Sequence, residues 1–155
     1  MYSVFNFSIP DSRARDSRSM APIFLAENNG QSPGNPKAPG KITTIKIKIL
    51  YSGEEKVLIS GNGISPPKIF ALEGEKPRVV CDFKGVGLGP DVEKKIEVDG
   101  KFIKMIRTAA YENEGGKVRV VLDLSPEGSY EVEQTFFKKQ NIYELIVKPE
   151  KAIFP

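Results

Sequence analysis

The 155-residue chain is predicted to form an antiparallel β-sandwich of two similar sheets, built from about nine short strands. Three observations predict it. Short β-forming runs recur at near-regular spacing between turns rich in Gly, Pro and Asn. No helical hydrophobic period is sustained over a useful length. One phrase is also written twice, as R-V-V-C-D-F at Arg78–Phe83 and as R-V-V-L-D-L at Arg119–Leu124.

Residues 1–40 are expected to be a flexible tail or linker. The opening M-Y-S-V-F-N-F-S-I-P is not a signal peptide, because it lacks a basic start and Asn6, Ser8 and Pro10 interrupt any apolar core. The chain is therefore expected either to be cytosolic or to be a fragment with an incomplete start. Ala21–Ala26, A-P-I-F-L-A, is a short apolar patch within that tail. Asn28–Gly40 is almost entirely turn formers and can bury little, as a tether would.

From Lys41 to residue 150 the rhythm is strand and turn. I-K-I-K-I (Ile45–Ile49) alternates strictly and forms a hairpin with K-V-L-I-S (Lys56–Ser60) across an S-G-E-E turn. K-I-F-A-L and P-R-V-V-C-D-F follow, separated by a turn around Glu73–Lys76. In I-E-V-D-G-K-F-I, Asp99-Gly100 is a strong short-hairpin signal between two β-forming runs. K-V-R-V-V-L-D-L, S-Y-E-V-E-Q-T-F-F and I-Y-E-L-I-V complete the set, joined by Pro126-Glu127-Gly128 and by Lys138–Asn141. Residues 151–155 are left as a C-terminal tail.

On a strand, Arg78 and Asp82 point to one face about 13 Å apart, at roughly 3.3 Å per residue. They are not the neighbouring ion pair that this spacing would make on a helix. Val79, Cys81 and Phe83 face the other way and are expected in the core. In the second copy Val118, Val120, Leu122 and Leu124 face in, while Arg119, Val121 and Asp123 face out. The expected arrangement is one copy at the centre of each sheet, which gives the domain two similar outer faces. A second arrangement also fits, with the copies as antiparallel neighbours centred on Val80 and Val121. Arg78 would then lie opposite Asp123, and Asp82 opposite Arg119.

Composition removes several function classes. The net charge is only +3, well short of the basic excess expected of a nucleic-acid binder driven by phosphate attraction. No histidine is present, which excludes His-based zinc sites and triads. The single cysteine, Cys81, allows neither an internal disulfide nor a four-cysteine metal site, and it sits in an apolar run as a small hydrophobe would. No apolar run approaches the roughly 20 residues of a membrane-spanning helix.

The order I-F-A-L, R-V-V-C-D-F, a glycine-rich loop, F-I-K-M-I-R, K-V-R-V-V-L-D-L, Y-E-V and Y-E-L-I-V-K resembles an AMIN domain over roughly Ile42–Lys148. In that family an R-x-V-x-D-apolar strand with a small-residue loop is the first landmark. An I-R segment, an R-V-V-L-D-L strand and a closing Y-x-V…L-x-V pair form the second. Cys81 replaces the family's usual aliphatic residue. The resemblance implies a two-sheet sandwich and a non-catalytic, cofactor-free module of the bacterial periplasm. Such modules stand beside cell-wall amidases and in the secretins of pili, and target their partner domain by binding peptidoglycan. The zinc amidase itself uses His and Glu, so this histidine-free chain is not that enzyme.

The outward Arg78, Asp82, Arg107, Arg119 and Asp123 are the candidate ligand-binding residues. Arginine can grip a peptide carboxylate with two parallel hydrogen bonds, and aspartate can receive the ammonium of a diamino acid. The same charges can also simply solvate a sheet face or pair across strands. K-G-V-G-L-G-P (Lys84–Pro90) lacks the G-x-G-x-x-G spacing and a following helix, so it reads as a flexible connection. Phe136 and Phe137 put one aromatic on each face of their strand. Lys46 and Lys48 suit the guarding of a sheet edge. The alternative function is protein–protein docking in a pilus or secretin assembly.

Overall fold

A computed structural model describes residues 4–9 and 40–150 of the chain. The nine expected strands are present, with two more that were not expected. In chain order they are β1 (Val4–Ile9), β2 (Gly40–Ile49), β3 (Glu55–Asn62), β4 (Lys68–Leu72), β5 (Arg78–Lys84) and β6 (Val86–Leu88). Then come β7 (Lys95–Glu97), β8 (Ile103–Tyr111), β9 (Lys117–Leu124), β10 (Tyr130–Phe137) and β11 (Ile142–Pro149). One sheet has six strands in the order β1-β10-β11-β3-β2-β6, the other five in the order β4-β5-β9-β8-β7.

The unexpected strands correct two readings. Before Lys41 a brief strand was considered only at Ala21–Ala26, yet β1 pairs antiparallel with β10, Val4 opposite Thr135 and Ile9 opposite Tyr130. The glycine-rich run was expected to be a flexible connection, yet Val86–Leu88 pairs in parallel with Gly40–Ile42 at the start of β2. In both segments an otherwise unpaired edge of the neighbouring strand supplies the hydrogen bonds. The Ala21–Ala26 patch, the tether up to Pro39 and the C-terminal tail lie outside the described residues.

The two sheets bury their inner faces in one core. From the five-stranded sheet come Val79, Cys81, Phe83, Ile106, Val118, Val120 and Leu122, and from the six-stranded sheet Ile42, Val57, Ile59, Val132, Tyr143, Leu145 and Val147. Alternation along β9 is strict, every even position buried and every odd one half-buried, as the sequence pattern predicts. Phe83 and Tyr143 meet edge to face across the core with ring centroids 5.7 Å apart, and Phe102 meets Tyr130 at 5.5 Å.

The two copies of the repeated phrase are not in separate sheets. They are β5 and β9, antiparallel neighbours with Val80 opposite Val121, Arg78 opposite Asp123 and Asp82 opposite Arg119. The expectation of two equivalent sheets with two similar outer faces is therefore corrected. Each copy is an amphipathic strand with one cation and one anion outward. When two such strands run antiparallel, each cation comes to face the other strand's anion.

One polar contact ties the sheets together inside this apolar core. Glu55, at the start of β3, is fully buried, and its carboxylate accepts hydrogen bonds from the backbone N–H of Phe102 (2.9 Å) and Ile103 (2.7 Å). Those N–H groups belong to the last residue of the β7–β8 connection and the first residue of β8, in the predicted Asp99-Gly100 hairpin. The hairpin forms, but its connection runs from Val98 to Phe102 and is not a tight two-residue turn. Gly100 does not take a positive φ, which a type I′ turn would demand. It is needed for space, because a Cβ there would lie 2.2 Å from Glu55 Oε1.

Two outcomes test this account. Val120→Asp or Leu122→Asp should abolish the cooperative thermal transition, since each buries an unpaired charge, whereas Val121→Thr should cost no more than about 1 kcal/mol. A reversed order in the melts would mean that the two faces are exchanged. Glu55→Ala should cost about 2–5 kcal/mol in equilibrium urea unfolding, because it strands two buried donors and leaves a void. Gly100→Ala should destabilise in the same assay, as its methyl cannot coexist with the carboxylate.

Candidate functional site

All five candidate residues lie on the outer face of the five-stranded sheet. The strand registers arrange that face in rows. One row runs Phe70, Val80, Val121, Arg107, Lys95 from β4 to β7. On one side of it lie Leu72, Arg78, Asp123, Met105 and Glu97. On the other lie Lys68, Asp82, Arg119 and Ala109. Period-two alternation brings these side chains to one surface, and antiparallel pairing aligns them crosswise.

Four of the five are committed to one another. Arg119 donates to both oxygens of Asp82 at 2.8 and 2.9 Å, directly across the β5–β9 pair. Asp82 is only 5% exposed, so this pair is partly desolvated. The guanidinium carbon of Arg119 also lies 5.9 Å from the Phe70 ring centroid, within cation–π range. Arg107 reaches diagonally from β8 and grips Asp123 at 2.7 and 2.8 Å. These hydrogen bonds raise both guanidinium pKa values, so the charges are fixed at any working pH.

Arg78 is left over. It stands opposite Asp123, but Arg107 holds that carboxylate, and the Arg78 side chain has no hydrogen bond or ion pair among the described residues. Its half-buried side chain lines an open cleft of ≈ 480 Å³ floored by Phe70, Val80 and Val121. Lys94 and Lys95 line the same cleft and were not among the candidates. Lys95 stands opposite Arg107 in the row. The pairing of β7 with β8, which puts Lys95 there, needs the true length of the Val98–Phe102 connection.

Several other residues occupy expected places. Burial pushes the Cys81 thiol pKa strongly up, so it is an unreactive core side chain. Phe136 is buried and Phe137 half-buried. Lys46 and Lys48 are exposed on the stretch of β2 that β6 leaves unpaired. No group of three or more His, Cys, Asp or Glu side chains suited to a metal occurs among the described residues.

A family model, the AMIN domain, matches residues 44–149. The chain belongs to the AMIN domain family. The match includes every strand from β3 to β11, and with them both copies of the repeated phrase. AMIN domains are in general non-catalytic peptidoglycan-binding and targeting modules. No curated protein matches the chain.

The two ion pairs and the free arginine make different predictions for stability. Arg119→Ala should cost about 1–3 kcal/mol in chemical denaturation, because it leaves the nearly buried Asp82 without its partner. Arg78→Ala should change stability by no more than about 0.5 kcal/mol, since no pair is broken. Equal losses in the two variants would mean that Arg78 has a structural role.

Proposed function

We propose that this AMIN domain, a β-sandwich of its two sheets, is a non-catalytic envelope module of the periplasm that binds peptidoglycan and localises a partner domain or protein. Family membership supports the class of function. The observation that carries the reading to a surface is the convergence of Arg78, Arg107 and Arg119 on one cleft of one sheet. Asp82 and Asp123 hold the two outer guanidiniums in place and act as positioning residues. A module of this kind needs no catalytic group, only an oriented, partly apolar surface that can engage a repetitive polymer at many equivalent places.

A second reading, docking of a protein in a pilus or secretin assembly, is favoured by β4. This five-residue strand closes one end of its sheet and pairs only with β5 among the described residues, leaving an edge to which a partner strand can be added.

Co-sedimentation with purified, protein-free sacculi separates the two. Peptidoglycan binding predicts that the chain pellets with sacculi. It also predicts that the bound fraction falls severalfold as salt rises from about 50 to about 500 mM, because exposed charges are screened over a shortening Debye length. A chain that stays in the supernatant at low salt would transfer the argument to the β4 edge.

A further inference from the structure

Five cations line the cleft on the five-stranded sheet, namely Arg78, Lys94, Lys95, Arg107 and Arg119, and no carboxylate does. Two of the five are balanced by Asp123 and Asp82. The side chains of the other three have no hydrogen bond or ion pair among the described residues. Between these charges the floor is apolar, with Phe70, Val80 and Val121 side by side in one row. A surface of this kind takes a ligand with carboxylates spaced along it and small apolar groups between them.

We infer that the cleft binds the stem peptide of peptidoglycan through its carboxylates, and not the glycan strand. The inference rests on the peptidoglycan reading above and narrows it to one chemical part of the polymer. The N-acetylated sugars carry no charge once the lactyl carboxyl is amide-linked to the peptide, so they offer these cations nothing to neutralise. The peptide supplies carboxylates and alanine methyl groups together. Recognition of the diamino acid's ammonium by aspartate is set aside by the geometry, since Asp82 and Asp123 each have both oxygens occupied by an arginine.

The dimensions agree. Arg78 on β5 and Lys95 on β7 are three strand spacings apart, about 14 Å at roughly 4.8 Å each. An extended tetrapeptide spans about 13 Å at roughly 3.3 Å per residue. One end of such a peptide can reach the Arg78 guanidinium while the other reaches Lys94 and Lys95. Arg78 is the strongest contact of the set, because its planar fork can hold a carboxylate with two hydrogen bonds that no side chain among the described residues claims.

The experiment uses the 155-residue chain against three probes: intact sacculi, glycan strands stripped of peptide by an amidase with the lactyl carboxyls so freed capped as methyl amides, and a soluble stem tetrapeptide. Binding to sacculi and tetrapeptide with loss on stripped strands is expected. Arg78→Ala should weaken both by roughly threefold to tenfold, as should Lys94→Ala with Lys95→Ala. Arg78→Lys should restore only part, and Lys46→Ala with Lys48→Ala on the other sheet should change nothing. Thermal melts of each variant verify the fold. Undiminished binding to stripped strands, or an Arg78→Ala variant that binds like wild type, would overturn the inference while leaving peptidoglycan targeting intact. Failure to bind intact sacculi would overturn both.

Discussion

The antiparallel pairing of β5 with β9, Val80 opposite Val121, sets both surfaces of the five-stranded sheet at once. Side chains alternate with a period of two, so one register decides which of the seven residues of β5 and the eight of β9 enter the core and which reach solvent. Inward, it delivers Val79, Cys81 and Phe83 on one strand and Val118, Val120 and Leu122 on the other. Outward, it places Asp82 against Arg119 and leaves Arg78 opposite an aspartate that a third strand has taken. A slip by one residue would expose the apolar set and bury four charges. The hydrophobic core therefore enforces a register that the ion pairs alone, worth at most about 1 kcal/mol each when exposed, could not hold.

The outer face is ordered by competition for carboxylates. Asp123 has two suitors, Arg78 straight across and Arg107 on the diagonal, and the diagonal one prevails with a bidentate grip. Arg119 stacks near Phe70 while bonded to Asp82, which restricts it further. The result is a surface with two guanidiniums held by carboxylates and a third, that of Arg78, without a side-chain partner among the described residues. Such an arrangement lowers the side-chain ordering a ligand would otherwise have to impose.

Much of this was legible in the residues. Strict alternation in K-V-R-V-V-L-D-L told the inside of β9 from its outside, and the ordered landmarks from I-F-A-L to Y-E-L-I-V-K were enough to suggest the family. Partnering of the repeated strands was not legible, because equivalent strands in two sheets and neighbours in one sheet demand the same amphipathic pattern. Charge could not decide between them when every exposed pair is so weak. Arg107's claim on Asp123 was hidden for a related reason. It depends on the β8–β9 register, which shifts between Ile103 and Met105. Lys94 and Lys95 were passed over because Asp99-Gly100 resembled a tight turn, which would have paired β7 with β8 three residues out of step. Glu55 gave no signal at all: a glutamate in S-G-E-E looks like any solvated turn residue.

That buried carboxylate bears on how the chain finds its fold. Its two donors lie 47 and 48 residues along the sequence. Neither sheet can complete its own interior until the other has delivered its part, so the hairpins cannot mature as independent halves. In an unfolded chain these three groups are hydrated, so forming the contact must offset the loss of that water. Distant closure of this type carries a loop-entropy cost that local hairpins do not. It assigns the domain to the class of β proteins governed by non-local pairing, whose folding takes milliseconds to seconds. The Glu55 contact thereby couples the two sheets into a single folding unit.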